Sequence, residues 1–260
     1  MQLFHGDCLE VMKTLPDQSV DLILTDPPYG TTQCKWDSII PFEPMWNELK
    51  RIIKYDSPIA LFGIEPFSSH LRLSNLKMFK YDWIWKKSNP SGIANAKIQP
   101  LRYHESVSIF YNKYKYYPQK IERKSERIAQ AHKSNYFFKN AHGSENDQIK
   151  GAVGKHSNKY DSKLKMPSSV LEFNSLRGNS KEFVKHPTQK PVALLEYLIK
   201  TYTNENDIVL DFTMGSGSTG VAAKNLNREF IGIELDQEYY KLSKNRIEAK
   251  DLLIWKHLKS

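Results

Sequence analysis

Short apolar runs alternate along the chain with segments whose apolar residues recur at helical spacing. Residues 2–5 read as a short strand, after which Asp7 is placed to cap a helix to about Leu15, ended by Pro16. The run Val20-Asp21-Leu22-Ile23-Leu24-Thr25 predicts a buried strand. It stops at Asp26-Pro27-Pro28-Tyr29-Gly30, because proline has no N–H to give a sheet ladder. A helix over about residues 42–54 puts Trp46, Leu49, Ile52 and Ile53 at helical spacing. Strands at 59–63 and 81–86 flank a helix near 67–76, residues 88–102 read as a long loop rich in Ser, Asn, Gly and Pro, and 105–111 form a further strand. Later in the chain the pattern predicts a strand at 170–173, a helix from Pro191 to about Tyr202 and a strand at 208–212. A Gly-rich turn, a helix to about Leu226, a strand at 230–234 and a last helix from about Asp236 follow. Alternating strands and helices predict an α/β fold whose mostly parallel sheet carries helices on both faces.

One stretch breaks this rhythm. Residues 113–165 have few apolar runs, contain Gly143, Gly151 and Gly154, and hold thirteen Lys and Arg against five acids. The chain as a whole carries +9, so this stretch accounts for +8 of it and the remainder is nearly neutral. Tyr114, Tyr116, Tyr117, Tyr136, Phe137, Phe138 and Tyr160 are interleaved with the cations, a mixture suited to phosphate contacts and base stacking. The candidate phosphate ligands are Lys113, Lys115, Lys120, Arg123, Lys124, Arg127, Lys133 and Lys139. A solvated insertion with a small core of its own would show the same charge block. The expected organisation is a discontinuous domain, 1–111 with 168–260, interrupted by a basic insertion at 112–167.

Composition narrows the classes further. With 40% apolar and 12% aromatic residues in 260, the chain can bury enough surface to fold, which excludes a disordered or collagen-like protein. Two cysteines, Cys8 and Cys34, cannot build a disulfide framework or a four-thiolate zinc site, and point to a reducing compartment. No metal is expected, since the eight histidines show no ligand spacing. The start of the chain lacks a cationic, apolar leader, and the apolar runs near it are far shorter than a membrane span, so the expectation is a soluble cytoplasmic protein.

Gly215-Ser216-Gly217-Ser218-Thr219-Gly220 follows a predicted strand and opens a predicted helix, and Glu234 ends the next strand nineteen residues after Gly215. This is the spacing of a glycine-rich turn with a ribose-binding acid, shared by more than one adenosine-containing cofactor. Asp211 discriminates between them. A carboxylate beside the turn repels the pyrophosphate of a dinucleotide, whereas S-adenosylmethionine (AdoMet) brings a cationic ammonium and sulfonium. A turn serving only tight strand–helix packing remains the plain alternative, as does a solvated strand end for Glu234.

Asp26-Pro27-Pro28-Tyr29 fits the chemistry of methylating an exocyclic amine. The nitrogen lone pair is delocalised into the base ring, and hydrogen bonds to both N–H protons free it for attack. The Asp26 carboxylate can accept one proton and the Pro27 carbonyl the other, while Pro27 and Pro28 hold the turn rigid. Tyr29 offers a face on which a flipped base can stack. Neither cysteine follows a proline, so the context usual for a thiol nucleophile at cytosine carbon 5 is missing.

These elements resemble the amino-group DNA methyltransferases in the β arrangement: catalytic Asp-Pro-Pro-Tyr turn first, variable target-recognition region next, cofactor motifs last. The resemblance covers nearly the whole chain and implies a Rossmann-like AdoMet-dependent methyltransferase fold with an inserted target-recognition region. It implies AdoMet contacts from Asp211, Phe212, Gly215, Ser216, Gly217, Ser218, Thr219, Glu234 and Leu235, and from Asp7 and Cys8 in Gly6-Asp7-Cys8-Leu9. His186-Pro187-Thr188-Gln189-Lys190-Pro191 resembles the element at the methionine end of the cofactor. Taken alone, Lys190 could hold the cofactor carboxylate or snorkel at a helix start, Thr188 could donate to that carboxylate or cap the helix, and Asp7 could be a bare N-cap. His104-Glu105 resembles the element lining the target-base pocket, and a plain strand entry is the alternative. An acid before Pro-Pro resembles the adenine-modifying members, so N6 of adenine in duplex DNA is the expected acceptor, with N4 of cytosine the alternative. RNA and protein acceptors, and an NAD-dependent oxidoreductase, stand further off. A paired restriction nuclease and a monomeric or dimeric state are both compatible with the resemblance.

Overall fold

The computed structural model describes residues 1–31, 37–123, 163–176, 178, 180, 182–184 and 186–249. These fall into two compact units, one within Met1–Tyr117 and Ser169–Ser260 and one within Pro118–Ser168.

The first unit opens with β1 (Gln2–His5), α1 (Cys8–Met12), β2 (Leu22–Thr25), α2 (Phe42–Ile52), β3 (Ile59–Gly63) and α3 (Phe67–Leu73). A long hairpin follows, β4 (Phe79–Ser91) and β5 (Arg102–Phe110), joined through a 3-10 turn at Ile93–Asn95. The second unit contributes β6 (Ile121–Glu122) and β7 (Leu164–Lys165), paired antiparallel with Ile121 opposite Lys165. The first unit resumes with β8 (Val170–Phe173), α4 (Val192–Tyr202), β9 (Ile208–Asp211), α5 (Ser218–Asn225), β10 (Glu229–Glu234) and α6 (Gln237–Glu248).

Its sheet runs β1-β10-β9-β2-β3-β5-β4-β8. Among the described strands, β5 alone opposes its sheet neighbours, and every other pairing in this sheet is parallel. The central strands are apolar throughout because both faces are covered. Leu22 and Leu24 of β2, with Ala60 and Phe62 of β3, pack in one core with Leu194, Leu198, Ala222 and Ile247 from α4, α5 and α6. Their neighbours Ile23, Ile59 and Leu61 pack in the other with Met12, Trp46, Leu49 and Leu71 from α1, α2 and α3.

The elements depart from the sequence expectations at three places. Helix α1 ends at Met12, short of Leu15. Strands β4 and β5 are longer than their composition suggests, because each supplies the other's ladder partners: Trp85 pairs Glu105, Lys86 pairs His104 and, past an irregularity, Ser91 pairs Arg102. The expected loop at 88–102 shrinks accordingly to residues 92–101. Residues 112–117, expected in the basic insertion, pack on the first unit, where the Tyr117 amide donates to the Thr201 carbonyl at 2.7 Å.

Candidate active site

Parallel strands deliver their C-terminal ends to one edge of the sheet, and four acids arrive there together. Asp26 follows β2, Asp211 ends β9, Glu234 ends β10, and Asp7 follows β1 by one residue past Gly6. They line a single cleft, with Cys8, Pro28, Thr188, Lys190, Phe212, Gly215, Ser216, Ser218, Thr219 and Leu235 from the expected set, and with His186, Thr213 and Tyr239. Pro27, Tyr29 and Gly217 stand behind this lining. Asp7 fills its helix-capping role as well: its carboxylate accepts from the amides of Leu9 at 2.8 Å and Glu10 at 3.2 Å.

The Asp26 turn is clamped from below and above. Asp37, buried in the following loop, accepts from the amides of Tyr29 at 2.8 Å and of Gly30 and Thr31 at 2.9 Å. Thr213, two residues past Asp211, donates its hydroxyl to the Asp26 carbonyl at 3.1 Å, and the Phe212 amide donates to Thr25 Oγ1 at 3.2 Å. The Tyr29 hydroxyl donates to Asp26 Oδ1. One side of the Tyr29 ring is taken up by Phe67, with centroids 5.0 Å apart.

The glycine turn needs its glycines for conformation and for space. Gly217 has φ +74°, and a Cβ there would lie 2.8 Å from Ser243 Cβ and 3.0 Å from Ser243 Cα. Gly215 has φ +48°, and a Cβ there would meet His186 Nε2 at 2.8 Å. Glu234 holds the turn from the next strand by accepting from the Gly215 amide, and accepts from the Asp236 amide on its other oxygen, both at 2.8 Å. Arg246, buried on α6, donates to the Ser216 carbonyl at 3.0 Å and to Ser218 Oγ at 2.8 Å.

Burial sets the protonation of this cleft. It pushes the Asp211 carboxyl up to about 7, against the hydrogen bonds it accepts from Thr219, Thr213 and Thr25. Burial also pushes Glu234 up. His186 is driven down to about 4 by burial and by the nearby Lys190 and Arg246, so its ring is neutral near pH 7. The Cys8 thiol is pushed up to about 12 by burial and by Asp7 beside it, which leaves it protonated and a poor nucleophile.

Lys190 lines the same cleft, and two carboxylates engage it there. Its ammonium forms an ion pair with Asp26 Oδ2 and lies 3.4 Å from Glu105 Oε2. Glu105 in turn pairs with Lys87 at 3.0 Å. Two carboxylates and two ammonium groups thus alternate in a line, Asp26, Lys190, Glu105 and Lys87. Burial pushes the Asp26 carboxyl up against the pull of Lys190. Burial works on Glu105 the same way, but Lys190 and Lys87 outweigh it and hold that carboxylate below its ordinary range.

Comparison with known proteins decides what this cleft belongs to. A family model for DNA methylases of the N6 and N4 type matches residues 20–245. The chain belongs to the amino-DNA methyltransferases of the N6-adenine/N4-cytosine group. The type II methyltransferase M.HpaI of Haemophilus parainfluenzae is 30% identical over 96% of this chain and 74% of its own. The crystal structure of the M1.HpyAVI–SAM complex is 27% identical, with a TM-score of 0.60 over 95% of this chain and 99% of that one. The cytosine-N4-specific PvuII DNA methyltransferase, at 16% identity, has the same fold, with a TM-score of 0.64 over 96% of this chain and 86% of its own.

In this methyltransferase the candidate phosphate ligands divide. Lys113 and Lys120 are exposed, while Arg123 donates to the Leu164 carbonyl at 3.0 Å within the second unit. Lys115 corrects the expectation for it: its ammonium is paired with Asp207 at 2.9 Å and lies 3.5 Å from Asp21, which commits it to the first unit's own packing. Lys124, Arg127, Lys133 and Lys139 lie outside the described residues, as does Cys34. No helix among the described residues is long and apolar enough to cross a membrane, and no group of three or more His, Cys, Asp or Glu among them could hold a metal ion. Sequence reasoning did not find Asp37 or Lys87. The first is a lone acid whose partners are main-chain amides, and the second is brought to Glu105 by the β4–β5 pairing.

Proposed function

We propose that this methyltransferase transfers the methyl group of AdoMet to the N6 amine of adenine in duplex DNA, with the target nucleotide turned out of the helix. The observation that carries the reading is the 3.1 Å hydrogen bond from Thr213 to the Asp26 carbonyl, which makes the amine-binding turn and the glycine turn one wall of one cleft across 187 residues of chain.

The cleft suits a cationic cofactor. Asp7, Asp26, Asp211 and Glu234 line it against the single ammonium of Lys190, an excess that favours AdoMet over a pyrophosphate. Glu234 spends one lone pair of each oxygen on backbone amides and keeps the others for ribose hydroxyls. Gly215, Ser216, Ser218 and Thr219 line the cleft, and a Cβ at Gly215 would press on His186 of the same lining. When bound, AdoMet supplies an electrophilic methyl carbon on a sulfonium. The protein's share is to present the amine: the Asp26 carboxylate accepts one N–H and the Pro27 carbonyl the other, freeing the nitrogen lone pair. The protonated Cys8 supports direct transfer without a thiolate intermediate. Lys113, Lys120 and the basic residues beyond them track phosphates, so binding weakens steeply with salt.

Adenine is favoured by the acid at position 26, by resemblance to adenine-modifying members. Cytosine N4 is the second reading, since its amine offers the same two protons and the PvuII enzyme shares the fold. Incubating the protein with labelled AdoMet and unmethylated duplex DNA, then digesting to nucleosides for mass analysis, tests both. N6-methyladenine is the expected product, N4-methylcytosine overturns the acceptor, and labelled RNA or protein in place of DNA overturns the substrate class.

A further inference from the structure

The 92–101 loop between β4 and β5 presents two large apolar side chains to solvent, Ile93 at 70% and Ile98 at 82% exposure. Such exposure is unusual for isoleucine on a structured segment. The loop is structured: the amides of Asn95, Ala96, Ile98 and Gln99 donate to the carbonyls of Gly92, Ile93, Asn95 and Asn95 at 2.9–3.1 Å. Its place in the sheet is equally defined. β4 runs parallel to β2 and β3, so its C-terminal end lies on the edge that carries Asp26. A line of side chains joins the two: Asp26 to Lys190, Lys190 to Glu105, Glu105 to Lys87, and Lys87 to Ser91 Oγ at 3.0 Å, where the loop begins.

Charge indicates what meets this loop. Residues 88–104 contain no acid but hold Lys97 and Arg102. An apolar tip flanked by cations on the catalytic edge calls for a partner that combines negative charge with apolar surface. It suits the base stack of a polyanion, where cations meet phosphates and an apolar wedge meets bases.

We propose that this loop is the wedge of the enzyme: Ile98, supported by Ile93, enters the duplex and occupies the gap left when the target nucleotide swings out. The inference rests on the reading that the substrate is duplex DNA and deepens it by naming the segment that opens the helix. Flipping costs a few kcal/mol of unstacking and unpairing, and filling the vacated gap with an apolar side chain offsets part of it. The wedge matters only when the target base starts out stacked and paired.

The recognised sequence is first mapped by sequencing random duplex DNA methylated by the full-length protein. kcat/KM of the wild type and of the double variant Ile93→Ala, Ile98→Ala is then measured on that duplex and on the same duplex with the target base mispaired. A drop of about tenfold to a hundredfold on the paired duplex, with near-wild-type rates on the mispaired one, is the expected result. 2-Aminopurine at the target position gives a second reading: its fluorescence rises on binding to the wild type and less on binding to the variant. Equal losses on both duplexes, or no loss on the paired one, overturn the wedge while the methylating activity stands. A wild type that methylates no DNA overturns the substrate reading, and the wedge with it.

Discussion

Lys190 and Asp26, 164 residues apart in the chain, form an ion pair at the floor of the cleft. Burial pushes the Asp26 carboxyl up toward the neutral acid, and the Lys190 ammonium, from the element just before α4, opposes that push. Removing a cation from beside a carboxylate raises its pKa. Lys190→Met is expected to move the acidic limb of the kcat profile to higher pH, and Asp26 is the group it reports. The same change leaves buried negative charge unpaired and should cost about 3–5 kcal/mol of stability, read from chemical denaturation.

In the proposed mechanism, Asp26→Ala removes one of the two acceptors for the amine. A lost transition-state acceptor of this kind costs about a hundredfold to a thousandfold or more in rate. AdoMet affinity, measured by calorimetry, is expected to change little, because the cofactor side of the cleft is built by Asp211, Glu234 and the glycine turn. Retention of most of the activity would remove Asp26 from its role.

With Asp211 as an AdoMet contact, as proposed, AdoMet binding is expected to depend on pH. The Asp211 carboxyl titrates at about 7, and a cationic ligand is attracted to the ionised form. As pH falls through that value the group takes up a proton and affinity declines, by up to about tenfold per unit below it. His186, driven down to about 4, stays neutral through this window and adds no slope. Asp211→Asn should bind weakly at neutral pH and lose most of the slope, in titrations followed by tryptophan fluorescence.

Asp37 offers a test of how much the rigidity of the turn contributes. Its carboxylate accepts from three successive amides, of Tyr29, Gly30 and Thr31. Asp37→Ala frees those donors and loosens Asp26, so kcat is expected to fall about tenfold to a hundredfold while AdoMet affinity holds. A loss of affinity matching the loss of rate would show that the clamp serves the whole cleft instead.

Gly217→Ala places a Cβ at φ +74° and 2.8 Å from Ser243 Cβ, with the Ser243 backbone immediately behind. Strain and crowding together are expected to cost about 2 kcal/mol, a fall in Tm of about 4–8 °C. A thermal melt without cofactor reads this directly.

Proline and glycine made much of this molecule legible in advance. Pro27 and Pro28 end a buried strand, and Gly215 and Gly217 turn the chain between β9 and α5, so both turns announce themselves locally. The strands resolved well where the apolar run is continuous, as at 59–63. Residues 88–91 did not, since Ser, Asn and Pro carry little strand preference of their own and take their conformation from neighbours across the ladder. Lys115 shows a limit of another kind. Composition counts a charge without its partner, and Asp21 and Asp207 reach it through tertiary packing. Lys87 reaches Glu105 only through the strand pairing, and Asp37 reaches the turn only through main-chain amides that no sequence pattern marks.

The single reversed strand has a bearing on how such an enzyme can change. Because β5 runs against its neighbours, the chain leaves β4 and re-enters the sheet on one edge, through a hairpin in place of a helical crossover. Residues can therefore be gained or lost between Ser91 and Arg102 without altering the order of the strands or the register that seats Lys87 and Glu105. The sheet thus holds a segment whose length can change beside a reaction centre whose register stays fixed.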